Sequence, residues 1–295
     1  MLKSPQGEII LINREFMKNL LKKLITRALI STLTIGIFSL NLTSAQATEK
    51  IDVTKISAQE FLQIVRTPIA AGNWMQLKGK INHFRRTKQG NISQEGELYV
   101  ALLFTKIMAL GQVVIDNKEA YQVGQNFKTK ATTINQVKKS AYKNSLLSQF
   151  GVKATDLTFS FIYWNFIKEL PQESLRGQKC RIFVLQDKKT KQIAKVYFST
   201  MALFPMKITW YKIAEKAKII TKNINLTTLK KEREMEMNSF RKQHGMWLVT
   251  GINLYGGDNS WRTRISFTVN KAGKKETRPK NLFKTFDKKT KTTIN

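Results

Sequence analysis

One cysteine, two histidines and five prolines are all that 295 residues contain of those types. With Cys180 alone, no intramolecular disulfide forms, so the fold rests on an apolar core. His83 and His244 lie outside metal-ligand spacings such as H-x-x-x-H, and Cys180 falls in an alternating strand pattern. No zinc or thiol site is legible. The Cys reads as a small core residue and the two His as surface or turn residues. There is no G-x-S-x-G, no Walker loop and no G-x-G-x-x-G. Asp187 and Asp258 sit in turn sequences that already account for an Asp, so no acid/base pair emerges. The expectation is a non-enzyme without cofactor or metal. Acidic residues are also scarce: 20 Asp and Glu face 51 Lys and Arg, a net charge of +31.

The chain does contain an export pattern. Residues 17–47 run from a basic start (Lys18, Lys22, Lys23, Arg27) through an apolar stretch at 28–42 to Ala45-Gln46-Ala47. Ser31, Thr32, Thr34 and Ser39 interrupt that stretch, and a membrane-spanning helix needs about 18–20 apolar residues. The expectation is therefore a signal peptide cleaved after Ala47 and a periplasmic protein; the alternative is an uncleaved inner-membrane anchor. Residues 1–16 add nothing to the signal, and Met17 is an alternative start. No Cys follows the apolar stretch, which excludes lipid attachment there. The basic excess persists beyond residue 47 and points to anionic surroundings. In an exported chain that means a membrane surface rather than nucleic acid.

Ser57-Ala58-Gln59-Glu60 is a capping box opening a helix over 57–70. Period-2 alternation follows: Leu98, Val100, Leu102 and Phe104 share one strand face while Glu97 and Tyr99 take the other. Similar strands are expected at 78–85, 106–115 and 120–127. Helical spacing of Tyr142, Leu146, Leu147 and Phe150 predicts a helix within 134–151, and 156–169 reads as another, capped by Thr155 and ended by Pro171. That second segment crowds Phe159, Phe161, Ile162, Tyr163, Trp164, Phe166 and Ile167 together, more than one apolar stripe holds. Strands resume at 179–186, 193–200, 206–213, 218–232, 246–255 and 261–269. The fold class is α+β, mainly β: a strongly curved antiparallel sheet of about ten strands covered by about three helices. Residues 48–286 form one domain, Leu282, Phe283 and Phe286 anchor its end, and 287–295 form a disordered basic tail.

Asp156-Leu157-x-Phe159 with Phe161 and Tyr163-Trp164, Leu175-Arg176-Gly177-x-x-Cys180 leading a strand, Lys195-Val196-Tyr197-Phe198, and Pro205-Met206-Lys207 before Trp210-Tyr211 resemble the outer-membrane lipoprotein-sorting proteins, LolA-like periplasmic lipoprotein carriers. Gly245-Met246-Trp247 and Arg262-Thr263-Arg264 fit the same pattern, which runs from Trp74 and Gly79 to Phe283. The resemblance implies an incomplete antiparallel β-barrel whose interior accepts acyl chains of lipoproteins or another lipid. It also implies monomeric carriage across the periplasm, with an inner-membrane donor and an outer-membrane acceptor protein as partners. Strand alternation and helix crowding select Leu98, Val100, Leu102, Phe161, Trp164, Val196, Phe198 and Trp210 as the residues lining that interior. The best-known carriers hold a helical lid with a barrel arginine; Arg85 and Arg86 lie near the corresponding early strand, and the role is transferred to neither. The competing reading is a basic envelope scaffold or adhesion module that binds anionic lipid, lipopolysaccharide or acidic glycan.

Overall fold

Ser57 opens α1 (Ala58–Arg66) through the expected reciprocal cap: its hydroxyl accepts from the Glu60 amide at 3.2 Å, and the Glu60 carboxylate accepts from the Ser57 amide at 2.9 Å. Phe61, Leu62 and Ile64 form the buried stripe. The helix ends at Arg66, four residues short of expectation, because Pro68 disfavours helical backbone at Thr67, which is extended. The computed structural model describes residues 52–67, 72–142, 144–187, 190, 192–213, 224–243 and 246–286, at 246 and 247 the backbone alone. The leader, its cleavage position, His244, residues 214–223 and the tail at 287–295 lie outside the described residues. Those from Val53 onward belong to one unit.

Twelve strands form a single antiparallel sheet that curves without closing. In chain order they are β1 (Trp74–Thr87), β2 (Gly90–Phe104), β3 (Met108–Ile115), β4 (Glu119–Asn126), β5 (Thr132–Lys138), β6 (Asn165–Leu175), β7 (Gln178–Gln186), β8 (Gln192–Ser199), β9 (Pro205–Lys212), β10 (Lys230–Gln243), β11 (Met246–Gly256) and β12 (Trp261–Gly273). The spatial order is β5-β4-β3-β2-β1-β12-β11-β10-β9-β8-β7-β6, two meanders joined through the β1–β12 pair. β5 and β6, consecutive in sequence, therefore stand at opposite edges. Residues 139–164 must cross from one edge to the other.

Two strands replace expected helix. β5 occupies the start of 134–151, where Thr132, Thr133, Ile134 and Val137 suit an edge strand, and the helical spacing is realised only in α2 (Leu146–Gln149). The run 156–169 divides into α3 (Ala154–Leu157), a 3₁₀ turn (Ser160–Tyr163) and the start of β6. Phe159, left-handed at φ 54°, breaks the helix, and Pro171 lies inside β6 rather than ending a helix. A proline is tolerated there because β6 is an edge strand, bulged between Leu170 and Glu173. The crowded aromatics are thus a turn feeding a strand, buried from several sides. β10 also begins later than expected, so Arg233, Met235 and Met237 belong to it.

Register sorts the side chains. On the concave face Leu77 pairs with Val100, Ile81 with Ile265, Val196 with Ile208 and Met235 with Leu254, all members of one core cluster with α1, α2 and α3. The convex face carries smaller clusters. One, around Trp74, Ala101 and Leu103, is covered by Leu282 and Phe283. Gln112, fully buried, both donates to the Lys284 carbonyl and accepts from its amide at 2.8 Å, replacing a strand pair and fixing the end of the described chain.

Candidate functional site

All eight residues selected from alternation and crowding come together in the concave core cluster. Leu98, Val100, Leu102, Phe161, Val196, Phe198 and Trp210 are at most 8% exposed, and Trp164 is half-buried against them. Phe61 of α1 fills the middle of the β7–β8 side, its ring 5.4 Å from Phe183 and 6.0 Å from Phe198. Phe161 of the crossing segment meets Trp210 edge-on at 5.7 Å. Zero exposure at Phe183, Val196, Phe198 and Ile208 means no water-sized gap touches those side chains. In this conformation the cover itself fills the concavity at those positions.

The cover is held by polar groups set into an apolar surface. At its start, Glu119, inward-facing on β4, accepts hydrogen bonds from the Ser140, Ser145 and Tyr121 hydroxyls and from the Leu146 amide at 2.9 Å, satisfying the first turn of α2. In its middle, Arg233 of β10 pairs bidentately with Asp156 of α3: Nη2 donates to Oδ1 at 2.8 Å and Nη1 to Oδ2. Both side chains are about 95% buried or more, and the guanidinium lies 3.9 Å from the centre of the Trp210 ring. Nε of Arg233 is buried without a hydrogen-bond partner. At its end, Arg66 of α1 donates to the Ile162 and Trp164 carbonyls at 2.7 and 2.6 Å. Arg181 of β7 fixes the chain before α1, donating to the Val53 and Ile56 carbonyls at 3.1 and 2.9 Å while pairing bidentately with Glu169.

Glu119 makes one of these anchors sensitive to acid. Burial opposes its ionisation, but the hydrogen bonds from Ser145, Tyr121, Leu146 and Ser140 outweigh it and hold the carboxyl below its ordinary value of 4.5. Tyr121, buried and donating to that carboxylate, is pushed up to about 12. Since the folded value of Glu119 is depressed, its contribution is complete above the unfolded value and is lost as pH falls through the folded one. Urea midpoints measured from about pH 6 down to about pH 3 are expected to fall less steeply for Glu119→Gln than for the parent. Equal slopes would remove Glu119 from the account.

Sequence reasoning missed the arginines. Arg85 and Arg86 are exposed, whereas the buried guanidiniums belong to Arg181 and Arg233. A signal for Arg233 was present: in Glu232-Arg233-Glu234-Met235-Glu236-Met237 the arginine alternates onto the methionine face. The carbonyl partners of Arg66 and Arg181 leave no such trace. His83 is not a surface residue; it faces inward beside Ile81, 6% exposed, with Nδ1 2.8 Å from the Thr263 hydroxyl, which donates to the Phe150 carbonyl of the cover. Cys180 is fully buried on the convex side, and burial pushes its thiol up. Among the described residues no group of three or more His, Cys, Asp or Glu is placed to hold a metal ion, and no helix is long and apolar enough to cross a membrane.

No family model and no curated protein matches the sequence. Solved structures do share similarity. A putative outer membrane lipoprotein-sorting protein domain from Vibrio parahaemolyticus aligns with 76% of this chain and 93% of its own at 10% identity and TM-score 0.47. A DUF1329 family protein from Desulfovibrio piger aligns with 74% and 90% at 12% identity and TM-score 0.45. A LolA superfamily protein from Nitrosomonas europaea aligns with 78% and 98% at 12% identity and TM-score 0.46. The chain is thus similar, at low identity, to a lipoprotein-sorting protein domain and to a LolA superfamily protein.

Proposed function

We propose that this protein is a periplasmic carrier of lipid or lipoprotein acyl chains, in which the crossing segment and α1 form a displaceable cover and the acyl chain takes their place against the concave sheet. The observation that carries this reading is the buried Arg233–Asp156 pair between sheet and cover. A buried ion pair is a poor device for stability alone, since apolar residues of equal volume usually hold a core as well or better. It is a good device for an all-or-none latch. Breaking such a pair costs about 3–5 kcal/mol, and an acyl chain of about ten methylenes gains about 8 kcal/mol on leaving water. Cargo can therefore supply the energy that opens the cover. No bond is made or broken, and no cofactor is needed. In this reading the protein is a monomer that receives cargo from an inner-membrane donor, passes it to an outer-membrane acceptor, and works in lipoprotein sorting.

Lipid-detecting mass spectrometry on protein purified without detergent is expected to find about one acyl lipid per chain, or empty protein that takes up a fluorescent fatty-acyl probe with little dependence on salt. Empty protein that refuses the probe contradicts the carrier. The tight interior packing favours one other reading, a solid basic scaffold that binds anionic lipid, lipopolysaccharide or acidic glycan through its surface. That reading expects binding to fall steeply with salt and to be indifferent to Val100→Trp and Phe198→Trp.

A further inference from the structure

The convex face of the sheet is electrically divided. Over β6–β10 its acids and bases neutralise one another: Lys195 lies 3.3 Å from Glu173, Lys207 lies 2.8 Å from Glu234 and 3.2 Å from Glu236, and Arg176 lies 2.8 Å from Glu236. The β1–β12 pair is different. Register places Lys78 opposite Thr268, Lys80 opposite Ser266, Arg264 opposite Asn82 and Arg262 opposite Phe84, all outward because their neighbours Leu77, Ile81, Thr263 and Ile265 face the core. Lys78, Lys80, Arg262 and Arg264 are exposed, and among the described residues no carboxylate oxygen comes within 4.0 Å of any of them. Exposed Glu95 and Glu97 of β2, opposite Asn82 and Lys80, are the acids flanking the strip, and Arg86 extends it at one end. Across the β1–β12 pair each cation faces an uncharged residue, and the charges are spaced at roughly 7 Å along each strand, twice the rise per residue. Direct opposition, which is destabilising, is avoided.

We propose that this strip is a docking surface for an anionic phospholipid bilayer. β1 and β12 are the fifth and sixth strands from the β5 edge of the twelve, so the pair reaches the sheet's midline, which falls between β12 and β11. On an open curved sheet the middle of the convex face is the outermost ridge and lies opposite the mouth. A ridge meets a plane along its length, whereas a polymer is better held by a groove. Half-buried Phe84, between Arg86 and Arg262 across the strands, gives the strip an apolar element suited to headgroup depth. Docking by the back leaves the Arg233–Asp156 cover facing away from the lipid, free to meet a partner. The inference concerns a surface and does not depend on the interior holding cargo.

The test is sedimentation of the full chain with vesicles of phosphatidylethanolamine and phosphatidylglycerol, against vesicles of phosphatidylcholine. The variant Lys78→Gln, Lys80→Gln, Arg262→Gln, Arg264→Gln is compared with a control that removes equal charge elsewhere, Lys106→Gln, Lys118→Gln, Lys128→Gln, Lys130→Gln. At about fivefold per well-placed cation before screening, the strip variant is expected to lose at least thirtyfold in affinity for the anionic vesicles and the control less than threefold. Uptake of the acyl probe by the strip variant is expected to be unchanged, which separates this surface from the interior. Equal losses in the two variants, unchanged binding by the strip variant, or equal binding of the parent to phosphatidylcholine would overturn the proposal. So would strip-dependent binding to heparin without binding to vesicles, which would assign the surface to acidic polymer.

Discussion

Replacing Asp156 by Ala is expected to destabilise the protein by about 3–5 kcal/mol, because it strands the Arg233 guanidinium in a site 4% exposed, left against the Trp210 ring without its carboxylate. Asp156 also accepts from the Lys153 amide at 2.8 Å, so the substitution unties the first turn of α3 as well as the sheet contact. The double variant Asp156→Leu, Arg233→Leu separates the two roles. It removes the desolvated charges together, and its unfolding free energy is expected to return most of the way to the parent value. If the pair were only structural, acyl-probe uptake would follow stability and return with it. As a latch, its removal has a different signature: Asp156→Ala takes up probe faster than the parent, and the double variant, with an apolar seam in place of a switchable pair, takes it up more slowly. Urea unfolding and stopped-flow uptake on the same three proteins read both quantities. A loss below about 1 kcal/mol for Asp156→Ala would mean that water reaches Arg233 and that the pair is no latch.

How much of this was legible follows the physics of each element. Strand alternation put Leu98, Val100 and Leu102 on one face, and the structure has that face concave with all three at most 8% exposed, because one face is buried along most of the sheet. The cover was misread where two periods overlap. Phe159 to Ile167 looks helical by apolar density, yet the density arises because a 3₁₀ turn and an edge strand share the run, some side chains entering the concave cluster and Ile167 the convex one. Ile134 and Val137 are exposed on an edge strand, so β5 offers no alternation to read. Arg233 could have been found from its place among the methionines. Arg66 could not, because its partners at Ile162 and Trp164 are carbonyls whose position depends on the completed fold.

A reversible crosslink between cover and sheet tests the central claim, that cargo enters by displacing the cover, most directly. A Cβ built at Gly111 of β3 would lie 2.7 Å from the Thr158 methyl just after α3, so cysteines at both positions are near bonding distance. Cys180 faces the opposite side of the sheet and is fully buried, which keeps it out of the exchange. With Gly111→Cys, Thr158→Cys oxidised, acyl-probe uptake is expected to fall to background; after reduction it is expected to return to the level of the parent. Equal uptake in the oxidised and reduced states would contradict the account.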